Sequence, residues 1–145
     1  DDATATAVPH HASLALPYYP IWSSYSLEAL PSAIKTLHST YKKEVMVVET
    51  AYPFSLTDVD NANNILNNTA LISGFPASEQ GQLDYLNALE EKLVEGGANG
   101  LIYWEPAWVS TPCRTQWGQG SHWDNAALFN HSYQATLGMK YFGKE

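Results

Sequence analysis

The chain has 145 residues, which is enough for one domain with a hydrophobic core of its own. Its 15 Asp and Glu against 7 Lys and Arg give a net charge of -8, and the cations form no cluster, so nucleic acid is not an expected partner. No apolar segment is 18 residues long, so we predict no membrane span.

The first 43 residues predict a lead-in, a strand and a helix. Residues 1–12 are polar without periodicity, which predicts a loop or disordered lead-in to a single domain spanning 1–145. An apolar run at 13–16 predicts a brief buried strand that turns into an aromatic loop. Between 27 and 43, apolar residues recur at alternating spacings of three and four, which predicts an amphipathic helix.

A second strand and helix follow. Residues 45–48 (VMVV) are typical of a strand buried on both faces of a parallel sheet. Glu49 ends that strand, and Pro53 prevents further sheet pairing soon afterwards. A polar loop at 54–74 leads to Ser78, a suitable N-cap for a helix at 79–95 that stops at two glycines.

The third unit repeats this order. Residues 100–106 predict another buried strand, which ends in the carboxylate of Glu105 before a proline. After a loop at 107–125, residues 126–142 are predicted to be helical at their end, because Tyr133, Leu137 and Tyr141 recur every four residues. This alternation favours an α/β fold with parallel strands and right-handed crossovers.

The loops after the predicted strands carry the candidate functional residues, because α/β folds place their chemistry at the carboxyl ends of the strands. Aromatic faces stack on sugars and carboxylates cleave glycosidic bonds, so this edge indicates a sugar site. The alternative is that the rings belong to the core and that the first carboxylate is an ordinary surface group. The candidates are Tyr18, Tyr19, Trp22, Glu49, Tyr52, Trp104, Glu105 and Trp108.

The loop after Glu49 carries a second signal. Asp58, Asp60 and Asn64 offer oxygen ligands at alternate positions, a pattern typical of loops that bind a hard cation. Ser121 and Asp124, three residues apart in the last long loop, would complete such a site from the other side. The alternative is an Asn-rich loop that caps its own backbone through Asx turns.

Three strand-end motifs in this order resemble one enzyme family: LPYYPIW at 16–22, VETAYP at 48–53 and YWEPAW at 103–108. The family is the endo-β-1,4-galactanases (arabinogalactan endo-1,4-β-galactosidases), family 53 of the glycoside hydrolases. The resemblance implies a (β/α)₈ TIM barrel, of which this chain would supply the last three βα units, strands six to eight. It further implies cleavage of internal β-1,4 bonds in the galactan or arabinogalactan side chains of pectin, with retention of configuration.

The resemblance also implies roles for individual residues. Glu49 matches the nucleophile, and Tyr18 or Tyr19 would hold it oriented and charged. The tryptophans would stack on galactosyl units, and Glu105 would support binding, although adjacent strand ends leave open that the two carboxylates form the catalytic pair. The acid/base of the family follows strand four, and no Asn-Glu motif precedes Leu14, so a non-catalytic galactan-binding or partial-barrel fragment is the alternative.

Two further expectations rest on the resemblance. Bacterial members carry a structural Ca²⁺ where Asp58 and Asp60 lie, with a His at the position of Ala62, so calcium is the only cofactor expected. The partner would be the polysaccharide, and either self-association or a missing N-terminal half would cover the open edges of the sheet. An extracellular or periplasmic location is implied as well.

Overall fold

The computed structural model describes residues 13–143, so the lead-in predicted at 1–12 lies outside the described residues. Strand β1, Leu14–Pro17, pairs in parallel with strand β2, Val45–Glu49, and Leu14 lies opposite Val45. Both strands were expected from their apolar runs. Because they run in the same direction, their carboxyl ends meet at one edge of the sheet.

The segment predicted as a third strand at 100–106 lies beside β2, but it forms only one parallel bridge, between Val47 and Leu101. Farther along, the Trp104 N–H still donates to the Thr50 carbonyl at 2.8 Å. The next residue, Glu105, adopts a left-handed backbone with a φ of 47°, which turns the chain out of the sheet. The prediction of a full strand to Pro106 is therefore wrong.

Helix α1, Leu30–Tyr41, connects the two strands. A 3₁₀ turn at Leu27–Ala29 precedes it, and the Ser26 side chain caps that turn by accepting from the Ala29 N–H. Lys42 stops the helix in a left-handed conformation. The helix predicted between 27 and 43 is thus confirmed, with its first turn tightened.

Helix α2, Glu79–Gly96, begins and ends as predicted. The Ser78 hydroxyl accepts from the Gly81 N–H at 2.9 Å, and Gly97 ends the helix at a φ of 83°. A Cβ built on Gly96 would lie 3.0 Å from the Ile34 side chain, so a glycine at that position lets the two helices approach. The buried face of α2 carries Tyr85, Leu86, Leu89 and Leu93.

The segment 126–142 is predicted to be helical at its end, and the structure forms a 3₁₀ helix there in place of the α-helix that the four-residue spacing indicates. Only short 3₁₀ helices form there, at Asp124–Ala126 and Leu137–Gly143. Between them the Asn130 side chain accepts from the N–H groups of Ser132 and Gln134, and this local bonding competes with a helix. The preceding loop contains an unpredicted hairpin of β3, Arg114–Thr115, and β4, Gly118–Gln119.

A buried polar network around Gln82 joins α2 to the segments that follow the strands. The Gln82 amide nitrogen lies 3.0 Å from the Tyr52 carbonyl and 3.1 Å from the Ala127 carbonyl, and the Thr136 hydroxyl donates to its amide oxygen at 2.8 Å. The Tyr103 hydroxyl joins them by accepting from the Tyr52 N–H at 3.1 Å. We call these five residues the Gln82 network.

Candidate active site

Glu49 lies at the carboxyl end of β2, half-buried at the edge where the strand ends meet. The Tyr19 hydroxyl, just beyond the end of β1, donates to Glu49 Oε2 at 3.4 Å. The backbone maintains this pairing, because the Tyr18 N–H donates to the Glu49 carbonyl at 2.8 Å. Parallel register therefore brings a phenol and a carboxylate together at the predicted site.

The Tyr19 hydroxyl is strongly held in its protonated form. Burial raises the pKa of Tyr19, and the negative charge of Glu49 and its hydrogen bond act in the same direction. The charge of Glu105 also raises this pKa, so both predicted carboxylates act on one phenol. A neutral phenol beside a carboxylate is a hydrogen-bond donor that keeps the carboxylate oriented.

Three aromatic rings form a wall beside Glu49, which we call the aromatic wall: Tyr19, Trp22 and Trp123. The centroids of Tyr19 and Trp22 lie 4.9 Å apart with the rings inclined at 61°. A cavity of about 330 Å³ opens in front of this wall, with Pro17, Tyr19, Trp22, Ser23 and Glu49 in its lining. Trp22 is 56% exposed, so its ring is available to a ligand.

Trp123 was not among the predicted site residues. Its ring centroid lies 5.9 Å from that of Tyr19 and 6.5 Å from that of Trp22. The sequence placed it only in a long loop, and no periodicity connects that loop with the first strand. The one available signal was a Trp next to two candidate metal ligands, Ser121 and Asp124.

Two tyrosines predicted to contact the substrate lie in the core instead. Tyr52 is 1% exposed, stacks on Tyr85 and donates from its hydroxyl to the Phe75 carbonyl at 2.7 Å. Tyr18 is 4% exposed, and its hydroxyl donates to the Tyr25 carbonyl. A sugar cannot stack on rings that are covered in this way, so these two predictions are corrected.

The third strand end contributes the remaining candidates. Trp104 is half-buried and packs against the hydrophobic core, with its backbone bonded to Thr50 at the end of β2. Glu105 follows in its left-handed conformation. The Trp108 carbonyl accepts from the Ser121 hydroxyl at 2.6 Å, which joins this strand end to the last long loop.

The predicted cation ligands join the two long loops. Asp60 accepts from the Ala62 N–H at 2.7 Å with one oxygen and from the Ser121 N–H at 2.9 Å with the other. Burial opposes ionisation of this carboxyl, but hydrogen bonds from Ser110, Ala62 and Ser121 outweigh it and lower its pKa. Asp58 accepts from the Asn64 N–H within the first loop.

Asp124 differs from the other acids because it is 2% exposed and neither of its carboxyl oxygens has a hydrogen-bond partner. The amide oxygen of Asn64 is also buried without a partner, and the His131 ring nitrogen lies 4.0 Å from Asp124 Oδ1. Burial raises the pKa of Asp124; the neighbouring Asn64 side chain opposes this effect, and the charge of Asp60 adds to it. Orphaned oxygen atoms of this kind are what a hard cation would bind.

Within residues 13–143, no three His, Cys, Asp or Glu side chains are arranged to hold a metal ion. Any cation here would therefore rely on amide, hydroxyl and carbonyl oxygens in addition to the carboxylates. Over the same residues, no helix has both the length and the apolar character to cross a bilayer.

The model of glycosyl hydrolase family 53 matches residues 6–142. The chain belongs to this family. An arabinogalactan endo-β-1,4-galactanase of Cellvibrio japonicus is 56% identical over 117 residues, which are 81% of this chain and 31% of that enzyme. An endo-β-1,4-galactanase of Bacillus subtilis is 37% identical over 101 residues, 68% of this chain and 23% of the relative.

Solved structures of the family agree. The catalytic domain of a family 53 hydrolase from Ignisphaera aggregans has a TM-score of 0.77 at 32% identity, and the match covers 88% of this chain and 37% of that one. A fungal β-1,4-galactanase structure gives 0.63 at 26% identity, over 90% of this chain and 37% of that one. The predicted fold class, part of a (β/α)₈ barrel, is thereby confirmed. The chain spans between 23% and 37% of the length of these relatives.

Proposed function

We propose that this family 53 chain acts in the hydrolysis of internal β-1,4-galactosidic bonds of galactan or arabinogalactan. The observation that carries the proposal is Glu49, held by the Tyr19 hydroxyl and facing the cavity in front of the aromatic wall. A ring such as Trp22 gives a galactosyl unit a stacking surface, and a carboxylate beside it is positioned to react. The names of the relatives support galactan as the polymer.

In the proposed mechanism, Glu49 attacks the anomeric carbon of a galactosyl unit and forms a glycosyl-enzyme intermediate. A second carboxyl group, about 5–5.5 Å away in retaining enzymes, protonates the leaving oxygen and then activates water. The neutral Tyr19 hydroxyl keeps Glu49 oriented by donating a hydrogen bond to its carboxylate, which loses its negative charge when the covalent bond forms. Glu105 has a separate proposed role, which is to bind substrate hydroxyls at the neighbouring strand end.

The test is Glu49→Gln in the full-length enzyme, where the substitution preserves shape and removes the nucleophile. Turnover of galactan should fall at least 1,000-fold, on the order of the loss when a catalytic group is removed, while binding of galactotetraose by calorimetry stays within a few-fold. Glu44→Gln is the matched control, because Glu44 adjoins the other end of β2 and its exposed side chain accepts from the exposed Asn99 side chain at 2.6 Å. Unchanged turnover in Glu49→Gln would refute the nucleophile assignment.

A second candidate function is favoured by the share of the relatives that the chain spans, about a third. It is binding of galactan by this chain without cleavage, with the acid/base on another part of the barrel. Binding of galactotetraose without release of new reducing ends would support it. Release of reducing ends by the 145-residue chain would exclude it.

Calcium has a proposed structural role between the two long loops. Asp58, Asp60, Asn64, Ser121 and Asp124 would hold the ion, and the fit rests on the unpartnered oxygens of Asp124 and Asn64. A bound cation would clamp the two long loops that Asp60 and Ser121 already connect. Because galactan is too large to enter a cell, we further propose that the protein acts outside the cytoplasm.

A further inference from the structure

Trp123 lies between the aromatic wall and the contact that joins Ser121 to Asp60. On one side its ring contacts Tyr19 and Trp22 in the aromatic wall. On the other side the backbone N–H of Trp123 donates to the Ser121 hydroxyl at 3.1 Å, and the backbone N–H of Ser121 donates to the Asp60 carboxylate at 2.9 Å. A continuous path of contacts therefore leads from the loop after β2, through the last long loop, to the aromatic wall.

Ser121 is the fixed point of this path. It is fully buried, and its hydroxyl also donates to the Trp108 carbonyl at 2.6 Å. The bond to Asp60 holds Ser121 to the loop after β2, and the bond to Trp108 holds it to the start of its own loop. Trp123, two residues later, takes its backbone position from Ser121.

Trp22, at the other end of the path, is the most exposed ring of the aromatic wall. It is 56% exposed, and among the described residues its ring–ring contacts are with Tyr19 at 4.9 Å and Trp123 at 6.5 Å. An aromatic platform that is free to change rotamer must be ordered when a sugar binds, and that ordering weakens binding. Neighbouring rings that contact its edge order it in advance.

We propose that Trp123 is a positioning residue through which the Asp60–Ser121 contact sets the orientation of Trp22 and Tyr19 beside Glu49. The inference rests on the proposed function, because it assigns to the aromatic wall the role of a sugar-binding surface. It goes further in making the loop contact, which lies away from the sugar, a determinant of binding strength. The sugar recognised would be a β-1,4-linked galactosyl unit.

The test is a double-mutant cycle with Trp123→Leu and Asp60→Asn, carried out in EDTA so that no cation takes part. Each single variant should weaken galactotetraose binding about tenfold, in keeping with the loss of an ordered aromatic contact. The double variant should bind no more weakly than Trp123→Leu, because the loop contact acts through that ring. Independent, multiplying losses would overturn the proposal.

A readout without sugar separates this proposal from the proposed function. The near-ultraviolet circular dichroism of packed tryptophans should weaken in Asp60→Asn and be no weaker in the double variant than in Trp123→Leu. If wild type fails to bind galactotetraose while these spectral changes occur, the proposed function fails and the positioning role stands. A near-ultraviolet spectrum of Asp60→Asn that equals wild type would overturn the positioning role.

Two controls address folding. His122→Ala removes another contact between the same loops, the bond from its ring to the Asn63 carbonyl at 2.7 Å, but leaves the bonds of Ser121 intact. It should lower the melting temperature without changing sugar affinity. If Trp123→Leu does not fold, Trp123→Phe serves in the same cycle, with a smaller loss expected because one ring remains.

Discussion

The Gln82 network and the surroundings of Asp124 are both buried and polar, yet they are completed in different ways. Gln82 has partners on both ends of its amide, supplied by Tyr52, Ala127 and Thr136. Asp124 is equally buried, and both of its carboxyl oxygens lack a partner. The first region is satisfied by the protein's own groups, whereas the second leaves buried carboxyl oxygens without a partner among the described residues.

The two regions are expected to have different roles. The network pins the backbone of Tyr52, three residues after Glu49, so it determines where the loop after β2 begins. Asp124 belongs to the last long loop, which the hydrogen bond between Ser121 and Asp60 joins to the loop after β2. We expect substitutions in the network to act on folding and substitutions near Asp124 to act on cation binding.

The largest expected effect breaks the network. Gln82→Leu keeps a similar volume but leaves the Ala127 carbonyl and the Thr136 hydroxyl without their buried partner, and the Tyr52 carbonyl keeps only its second donor, the Tyr103 hydroxyl. Each such group costs about 1–3 kcal/mol, so the free energy of unfolding should fall by about 3 kcal/mol or more. Urea denaturation followed by circular dichroism measures it.

Gln80→Leu is the matched control for this change. Gln80 lies on the same helix with an exposed side chain that bonds only Asp84 among the contacts described. Its replacement should change the free energy of unfolding by no more than about 0.5 kcal/mol. Equal losses in the two variants would mean that the buried network contributes nothing special.

The next prediction concerns the effect of calcium on the stability of the Asp124 region. If a cation completes this region, calcium at a hundredfold excess over its dissociation constant should stabilise wild type by about 2.7 kcal/mol. Asp124→Asn should abolish that gain. In EDTA the variant should be as stable as wild type or more so, because an unpaired buried carboxyl is costly.

Urea denaturation with and without calcium measures both effects. Asp84→Asn is the control, since Asp84 is an exposed residue of α2, far along the chain from both long loops. It should leave the response to calcium unchanged. A calcium gain that survives intact in Asp124→Asn would contradict the assignment of Asp124 as a ligand.

The smallest expected effect distinguishes a tyrosine of the network from one at the site. Burial raises the pKa of both Tyr103 and Tyr19, but only for Tyr19 does the charge of Glu49 add to the shift. Glu49→Gln should therefore lower the pKa of Tyr19, which stays above 10 because burial remains, and leave Tyr103 unchanged. Alkaline ultraviolet difference titration detects the change; equal shifts in both tyrosines would contradict it.

The sign of the pH dependence follows from the same shift. Above pH 10 the unfolded chain loses the Tyr19 proton while the folded protein keeps it, so the folded state binds more protons. The stability contributed by this group is complete below pH 10 and is lost as the pH rises beyond that value. In Glu49→Gln the loss should be smaller.

The sequence was informative wherever local chemistry decides the structure. The Val-rich run of β2, the cap at Ser78 and the stop at Gly97 are each set by residues a few positions apart, and all three were found where predicted. The pairing of Glu49 with Tyr19 was also within reach, because parallel order brings strand ends together. Local signals were therefore sufficient to predict this contact.

The errors came from contacts between distant segments. Tyr52 stands in a motif of candidate sugar contacts, but its ring stacks on Tyr85, 33 positions later in the chain, and no local signal reports that. Trp123 joins Tyr19 across more than one hundred positions. The four-residue spacing in 126–142 indicated an α-helix. The pattern of apolar residues does not report the side-chain bonds of Asn130 that compete with such a helix.

Glu105 carries a consequence for how the protein could change. Its left-handed backbone costs about 1–3 kcal/mol that a glycine would not incur. A glycine would thus make this corner easier to fold, and the chain instead keeps a carboxylate at the rim of the sheet. Selection for heat resistance alone should therefore remove Glu105 early, and the variants that lose it would reveal what the rim requires of that side chain.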